Sequence, residues 1–255
     1  MLIQKQAKRM KMQLPFLLFL LLSFVACKQK KSSVTTDDID PDIVLVNIEK
    51  GDRAFIGNLI RAVDSCKPAV IAVDAWFVYS KGDEEDSVLA ATFKAVPNDI
   101  VAYSIDPDVG LKQSHLKFRS FFTGEGVMEY DGDESGITMK PFVLFNGSLH
   151  EAFALRILRQ WKPGYLNKFT PGQSITVDFK RPLEKFLRFD INSVRTHREE
   201  LKNKVVIFGY LGPDNEDKHF TPLRKLKNYP ADEPDSYSAV MVANTVRTLL
   251  EYKNR

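Results

Sequence analysis

One carboxylate of this chain ends an apolar run and another follows a second such run, and carboxylates so placed can form a ligand pocket or, less readily, a metal site. Ala69-Val70-Ile71-Ala72-Val73-Asp74 is apolar until its final Asp. Lys204-Val205-Val206-Ile207-Phe208-Gly209 is a second such run, and Asp217, His219 and Thr221 follow it closely. Open α/β sheets place ligands beyond the carboxyl ends of their strands. If the two runs are neighbouring strands, Asp74 and the loop carrying Asp217 meet at one sheet edge. Trp76 and Phe77 then supply an apolar wall and Asp217 or His219 a polar handle, the division of labour of small-molecule sites. The bland alternative gives both carboxylates to backbone amides, since strand-end acids often serve as caps.

Catalytic templates fare poorly. The chain has no G-x-S-x-G elbow, P-loop, G-x-G-x-x-G or H-E-x-x-H. His115, His150, His197 and His219 lack metal-ligand spacing, so neither a metal nor a cofactor is expected. His150 falls near the start of one helical segment and His197 within another, which suits exposed or structural roles. An Asp after an early strand opens many phosphotransfer enzymes, but Trp76 and Phe77 stand where a second Asp would be needed. Asp83, Glu84, Glu85 and Asp86 read as a solvated run opening a helix, where negative charge suits the N-terminal dipole. A hydrolase or phosphatase using Asp74 and Asp217 is the enzymatic rival, and it lacks a visible positioned partner for either acid. The expected protein is not an enzyme.

The N-terminus points outside the cytoplasm. A basic, acid-free leader carries Lys5, Lys8, Arg9 and Lys11, and an apolar run from Leu14 to Ala26 leads to Cys27. That order is an export signal, and the run is too short for a comfortable spanning helix. A lone Cys after a small Ala resembles the lipobox of bacterial lipoproteins, in which cleavage leaves an acylated N-terminal Cys; Phe24 stands where the pattern usually has Leu. An uncleaved anchor with an incidental Cys is the other reading. Residues 1–26 are therefore expected to be a signal peptide. Removing the four leader cations leaves 32 Lys and Arg against 33 Asp and Glu, a formal net charge of −1, so nothing asks for nucleic acid. Cys66 is then the one free thiol, a small core residue by expectation. Asn146-Gly147-Ser148 matches a glycosylation pattern by chance, because the signal is bacterial.

The elements that must position the two acids follow from apolar periodicity. Residues 27–40 are rich in Lys, Ser, Thr and Asp and read as a solvated tether. Ile43 to Ile48 has strand length; Phe55, Ile56, Leu59, Ile60, Val63 and Cys66 trace one face of a helix that Lys67-Pro68 stops. With the run 69–74 this makes a β-α-β unit, a parallel pair with a right-handed crossover. Glu84–Val96 predicts a helix and 100–103 a strand. Between Phe121 and Phe145, glycines and acids separate two apolar runs, an antiparallel hairpin. Leu149–Trp161 predicts a helix, 167–189 short strands and turns, and Ser193 a cap for a short helix ending near Leu201. After a polar loop from Pro213 to Pro234, Tyr237–Tyr252 predicts an amphipathic helix. The fold class is α/β, a mixed, partly parallel sheet flanked by helices with an antiparallel hairpin insertion.

With these pieces in order, the chain resembles a CHASE2 domain, an extracytoplasmic sensory module of bacterial cyclases, kinases and related receptors. The opening strand 43–48, the run 69–77 with Asp86 and Leu89-Ala90, and Gly126 with Asp131, Asp133 and Gly136 resemble family segments. The most specific stretch is 201–209 followed by Asp217 and Thr221-Pro222. The family's closing helix carries a His-Ala-Asn element, and Val242-Ala243-Asn244 keeps the Ala-Asn without the His, which adds Asn244 to the candidates. The opening strand departs from the family in offering Asn47 and Glu49 where an acid-rich element is usual.

The resemblance implies a sensory domain over residues 41–255. CHASE2 receptors continue into membrane helices and an output domain; here the chain stops at Arg255 and a lipid on Cys27 is expected to replace them. The expected protein is a lipid-anchored sensor or binding protein on the extracytoplasmic side of the bacterial cell envelope. It recognises a small ligand or envelope partner and acts through a separate signalling protein. A structural interaction module without a small ligand is the third reading.

Overall fold

A computed structural model describes residues 39–226, 229–230 and 232–252. The leader, Cys27 and nearly all of the expected tether lie outside those residues. Asp40, at the tether's end, is buried: its carboxylate takes the guanidinium of Arg247 and accepts the amides of Asp42 (3.0 Å) and Ile43 (2.9 Å).

From the N-terminus the elements are β1 (Ile43–Asn47), α1 (Arg53–Asp64), β2 (Val70–Val73), α2 (Asp83–Ala95) and β3 (Asp99–Asp106). Next come β4 (Gly110–Lys112), α3 (Leu116–Arg119) and β5 (Gly124–Val127). Two hairpins follow, β6 (Tyr130–Asp133) with β7 (Gly136–Met139) and β8 (Phe142–Phe145) with β9 (Ser148–Glu151). Then come α4 (Phe153–Trp161), β10 (Ile175–Thr176), β11 (Leu187–Phe189), α5 (Ile191–Thr196) and α6 (Arg198–Leu201). The chain closes with β12 (Val205–Gly209), β13 (Lys218–His219), β14 (Ser236–Tyr237) and α7 (Ser238–Glu251).

The main sheet runs β11-β1-β12-β2-β3, with both β5 and β4 on the outer side of β3. All its pairings are parallel except the β3–β4 hairpin. The α/β class and the antiparallel insertion match the expectation. The β1-α1-β2 unit is parallel as expected, but its strands are not neighbours: β12 lies between them, so 69–74 and 204–209 pair directly.

Strand alternation feeds two cores. Ile43, Leu45, Val70, Ala72, Val205 and Ile207 pack towards α4 and α7. Val44, Val46, Ile71, Val73, Val206 and Phe208 face the other way, towards α1 and α2. Cys66 is buried in that second core, as expected.

Several local expectations are corrected. Residues 149–151 are strand, because Asn146 and Gly147 both take positive φ (48° and 76°) and turn β8 back into β9. Those two dihedrals are what a tight hairpin turn requires. His150 is thus on a strand, its Nδ1 2.7 Å from the Tyr103 hydroxyl. Asp190, rather than Ser193, caps α5, and Ser193 completes a capping box three residues in. The acidic run opening α2 is not wholly solvated. Asp86 is buried and paired with Arg53, whose guanidinium lies 5.1 Å from the Phe118 ring centroid. Burial works to raise the Asp86 pKa, but the Ser80 hydroxyl, Arg53 and the Lys81 amide hold it near about 2.

Candidate functional site

The parity of β2 decides where Asp74 points. Val70 and Ala72 face the α7 side, so Asp74 faces it too. Its amide donates to the Phe208 carbonyl (2.8 Å), which extends the β2–β12 pairing by one residue. On β12 the same parity runs from Val205 and Ile207 to Gly209. A Cβ on Gly209 would stand 2.7 Å from the Ala239 Cβ and 3.7 Å from Asp74 Oδ2. Glycine therefore lets the first turn of α7 settle against the ends of both strands. Asp74 is 8% exposed, and its Oδ2 has no hydrogen-bond partner among the described residues.

Asp217 reaches the same place by a short ladder. β13 and β14 pair antiparallel (Lys218 with Tyr237, His219 with Ser236), and the Ser238 amide donates to the Asp217 carbonyl at 3.1 Å. The loop after β12 is thereby tied to the start of α7, beside Asp74. The electrostatics record that proximity. Burial pushes the Asp74 pKa up to about 6, against the Ser238 hydroxyl, which lowers it. Asp217 is raised to about 7 by burial and then by the negative charges of Asp74 and Glu216. The Tyr130 hydroxyl, 3.2 Å from Thr245 Oγ1, is also raised by burial, and Asp74 adds to the rise. Two acids whose ionisation is mutually unfavourable share one floor.

Above that floor opens a cavity of about 810 Å³, in the size range of small-molecule sites. Asp74, Trp76, Asp217 and His219 line it together. Trp76, 38% exposed, stands at the mouth. Three other candidates lie elsewhere. Phe77 points into the second core, its ring 5.9 Å from Phe118 and 6.0 Å from Phe93. Thr221 is fully buried and takes both oxygens of Asp235, with its hydroxyl 2.6 Å from Oδ2. Asn244 is also fully buried, its amide closed onto the backbone of Arg181 and Val240.

The cavity also uses residues that sequence reasoning did not single out. Met128, Glu129 and Tyr130 come from the β5–β6 junction, and Lys50 and Tyr210 from the loops after β1 and β12. The β5–β6 residues belong to the stretch read as a plain hairpin insertion. Their signal was an aromatic and an acid inside a glycine-rich segment.

The CHASE2 domain family model matches residues 29–255. The chain belongs to the CHASE2 family. No curated protein and no solved structure matches the chain. CHASE2 domains are extracytoplasmic sensory modules, and several of the CHASE2-like residues have structural explanations here. Gly126 lets α4 approach β5, where a Cβ would stand 2.4 Å from the Phe153 Cα. Gly209 does the same for α7, and Asn244 bolts α7 to the Arg181 segment. Among the described residues no helix is long and apolar enough to cross a membrane. Nor does any group of three or more His, Cys, Asp or Glu side chains there have a geometry to hold a metal ion.

Proposed function

We propose that this CHASE2 protein is a lipid-anchored binding protein of the bacterial cell envelope. It senses a small ligand in the cavity over Asp74 and Asp217 and reports occupancy to a separate envelope or transmembrane signalling protein. The observation that carries the reading is Asp74, a carboxyl buried at a strand end with an unpartnered oxygen beneath an open cavity. A polar group kept in that condition costs stability unless something completes it. The crevice also lies beyond the carboxyl ends of parallel strands, where α/β sheets take ligands. The anchor rests on the leader and Cys27.

The ligand is tested by thermal unfolding of the purified chain against a metabolite panel, since any molecule selective for the native state raises the melting temperature. No shift from any compound would replace the binding reading with that of a structural interaction module. The anchor is tested by labelling cells with a clickable fatty acid, which marks the wild type and spares Cys27→Ala. Equal labelling of the two would end it. One observation favours a second reading, an envelope hydrolase: two carboxyls with raised pKa values face one cavity, as acid–base pairs do. Turnover of phosphoester, ester or glycoside substrates that disappears in Asp74→Asn would establish that reading instead.

A further inference from the structure

We propose that the ligand of this cavity is an organic cation, a molecule with an ammonium group that seats on Asp74 and Asp217 and an apolar body that lies against the aromatic wall. The inference rests on the binding reading above and adds the chemical class of the ligand.

Charge gives the sign. Besides Asp74 and Asp217, Glu49, Glu129 and Glu216 line the cavity, although Glu129 Oε1 accepts the Ile105 amide (3.0 Å). Lys50 is the only lysine or arginine among the lining residues, and its ammonium is already taken by Asp214 (3.0 Å) and Glu216 (2.6 Å). His219, at the rim, titrates below its ordinary value because of the protein around it, so it adds no cation at neutral pH. An anionic ligand would meet uncompensated repulsion here. A neutral donor would complete Asp74 Oδ2 but leave the repulsion between the two acids uncompensated.

The lining decides between an organic cation and a metal ion. Trp76, Tyr130 and Tyr210 line the cavity, together with Met128 and Met241. Hard divalent ions want six or more oxygens in close array; no such group is placed for them among the described residues. Ammonium groups, by contrast, gain from both carboxylates and aromatic faces. The wall already shows this chemistry with the protein's own lysine. Lys50 Nζ lies between two carboxylates and 5.7 Å from the Tyr210 ring centroid.

Below about pH 6 a proton competes with the cation for the site. Asp74 and Asp217 titrate near about 6 and about 7, with Tyr130 neutral beside them and Glu216 adding its charge. Cation binding must displace the proton from Asp74, so affinity rises with pH. For carboxyls titrating near 6 and 7, the expected affinity at pH 5 is at least about tenfold below that at pH 8.

The test uses the full chain in detergent and calorimetric titration with three size-matched panels: primary and quaternary alkyl- and arylammonium ions, the corresponding carboxylates, and neutral polyols and amides. Calcium and magnesium chloride form a fourth arm. Binding confined to the ammonium panel, at least about tenfold weaker at pH 5 than at pH 8, and lost in both Asp74→Asn and Asp217→Asn is the expected result. Thermal unfolding of the unliganded variants verifies that they are folded, and Asp217→Asn, on a loop, serves if Asp74→Asn is not. Binding of a carboxylate or a neutral compound would overturn the cation and leave the binding reading standing. Binding of calcium or magnesium alone would replace the organic cation with a metal ion. Ammonium binding untouched by both variants would move the site elsewhere, and silence in all four arms would overturn the binding reading itself.

Discussion

Replacing Asp74 by Asn converts the cavity floor into a measurable titration. In the folded chain Asp74 keeps its proton to about pH 6, whereas in the unfolded chain it releases it near 3.8. Between those values the folded state binds more protons than the unfolded one, so rising pH drains stability, and the loss is complete above the folded pKa. The gap of roughly two units corresponds to about 3 kcal/mol, at 1.36 kcal/mol per unit. Asp74→Asn removes the titration while keeping the shape. The variant should therefore gain about 3 kcal/mol on the wild type as pH is raised from 4 to 8. It also relieves Asp217, whose pKa Asp74 helps to raise, and that change has the same sign. Urea unfolding of the unliganded chain, followed by the fluorescence of Trp76 and Trp161, measures both proteins at each pH. The quantity that matters is the change with pH in the difference between them, because any fixed effect of the amide cancels. A difference that moves by less than about 1 kcal/mol over that range would show that Asp74 is not held as a buried acid, and the reasoning about the floor would fall.

Three further outcomes are expected. Gly209→Ala should destabilise the chain by about 1–3 kcal/mol and weaken ligand binding, because the new methyl pushes against Ala239 beside Asp74; denaturant unfolding and titration check it. Gly126→Ala meets backbone, the Phe153 Cα at 2.4 Å, and should lower stability without changing the pH response of the cavity. Arg53→Ala leaves the buried Asp86 carboxylate to the Ser80 hydroxyl, the Lys81 amide and Lys117, and should cost about 3 kcal/mol at neutral pH, the lower end for a broken buried pair. Because the Asp86 pKa is depressed, its contribution is present above about 3.8 and is lost as pH falls through about 2, so the difference between Arg53→Ala and wild type should narrow in acid.

The floor of the site was legible because it depends on strand ends. An apolar run that stops at an Asp announces both a buried strand and where its carboxylate emerges, which sufficed for Asp74; Asp217, in the loop after β12, needed the two runs to be neighbours. That β12 inserts between β1 and β2 was not legible, since buried parallel strands carry no mark of their neighbours. The cavity's other wall was missed because the aromatic and the acid in that glycine-rich segment do not by themselves say where they point; the parallel docking of β5 on β3 brings them round. The β8–β9 turn, in contrast, was written in Asn146-Gly147, a strong hairpin signal that a helical reading of 149–161 overrode. Asp86 looked like a surface charge because it belongs to an acidic helix start, where charge is ordinary. Its partner Arg53 is covered by Phe77 and Phe118 from other parts of the chain.

The position of β12 has a consequence for how the molecule comes into being. During synthesis the chain emits β1, β2, β3 and β5 long before the strand that separates the first two. Until residues 205–209 arrive, β1 and β2 each present an unpaired edge to the gap that β12 will occupy, the kind of edge that recruits other chains. The sheet is thus completed from its middle, late, and through contacts of very long sequence separation, which makes for slow closure. Truncation before β12 would leave β1 and β2 without the strand that joins them.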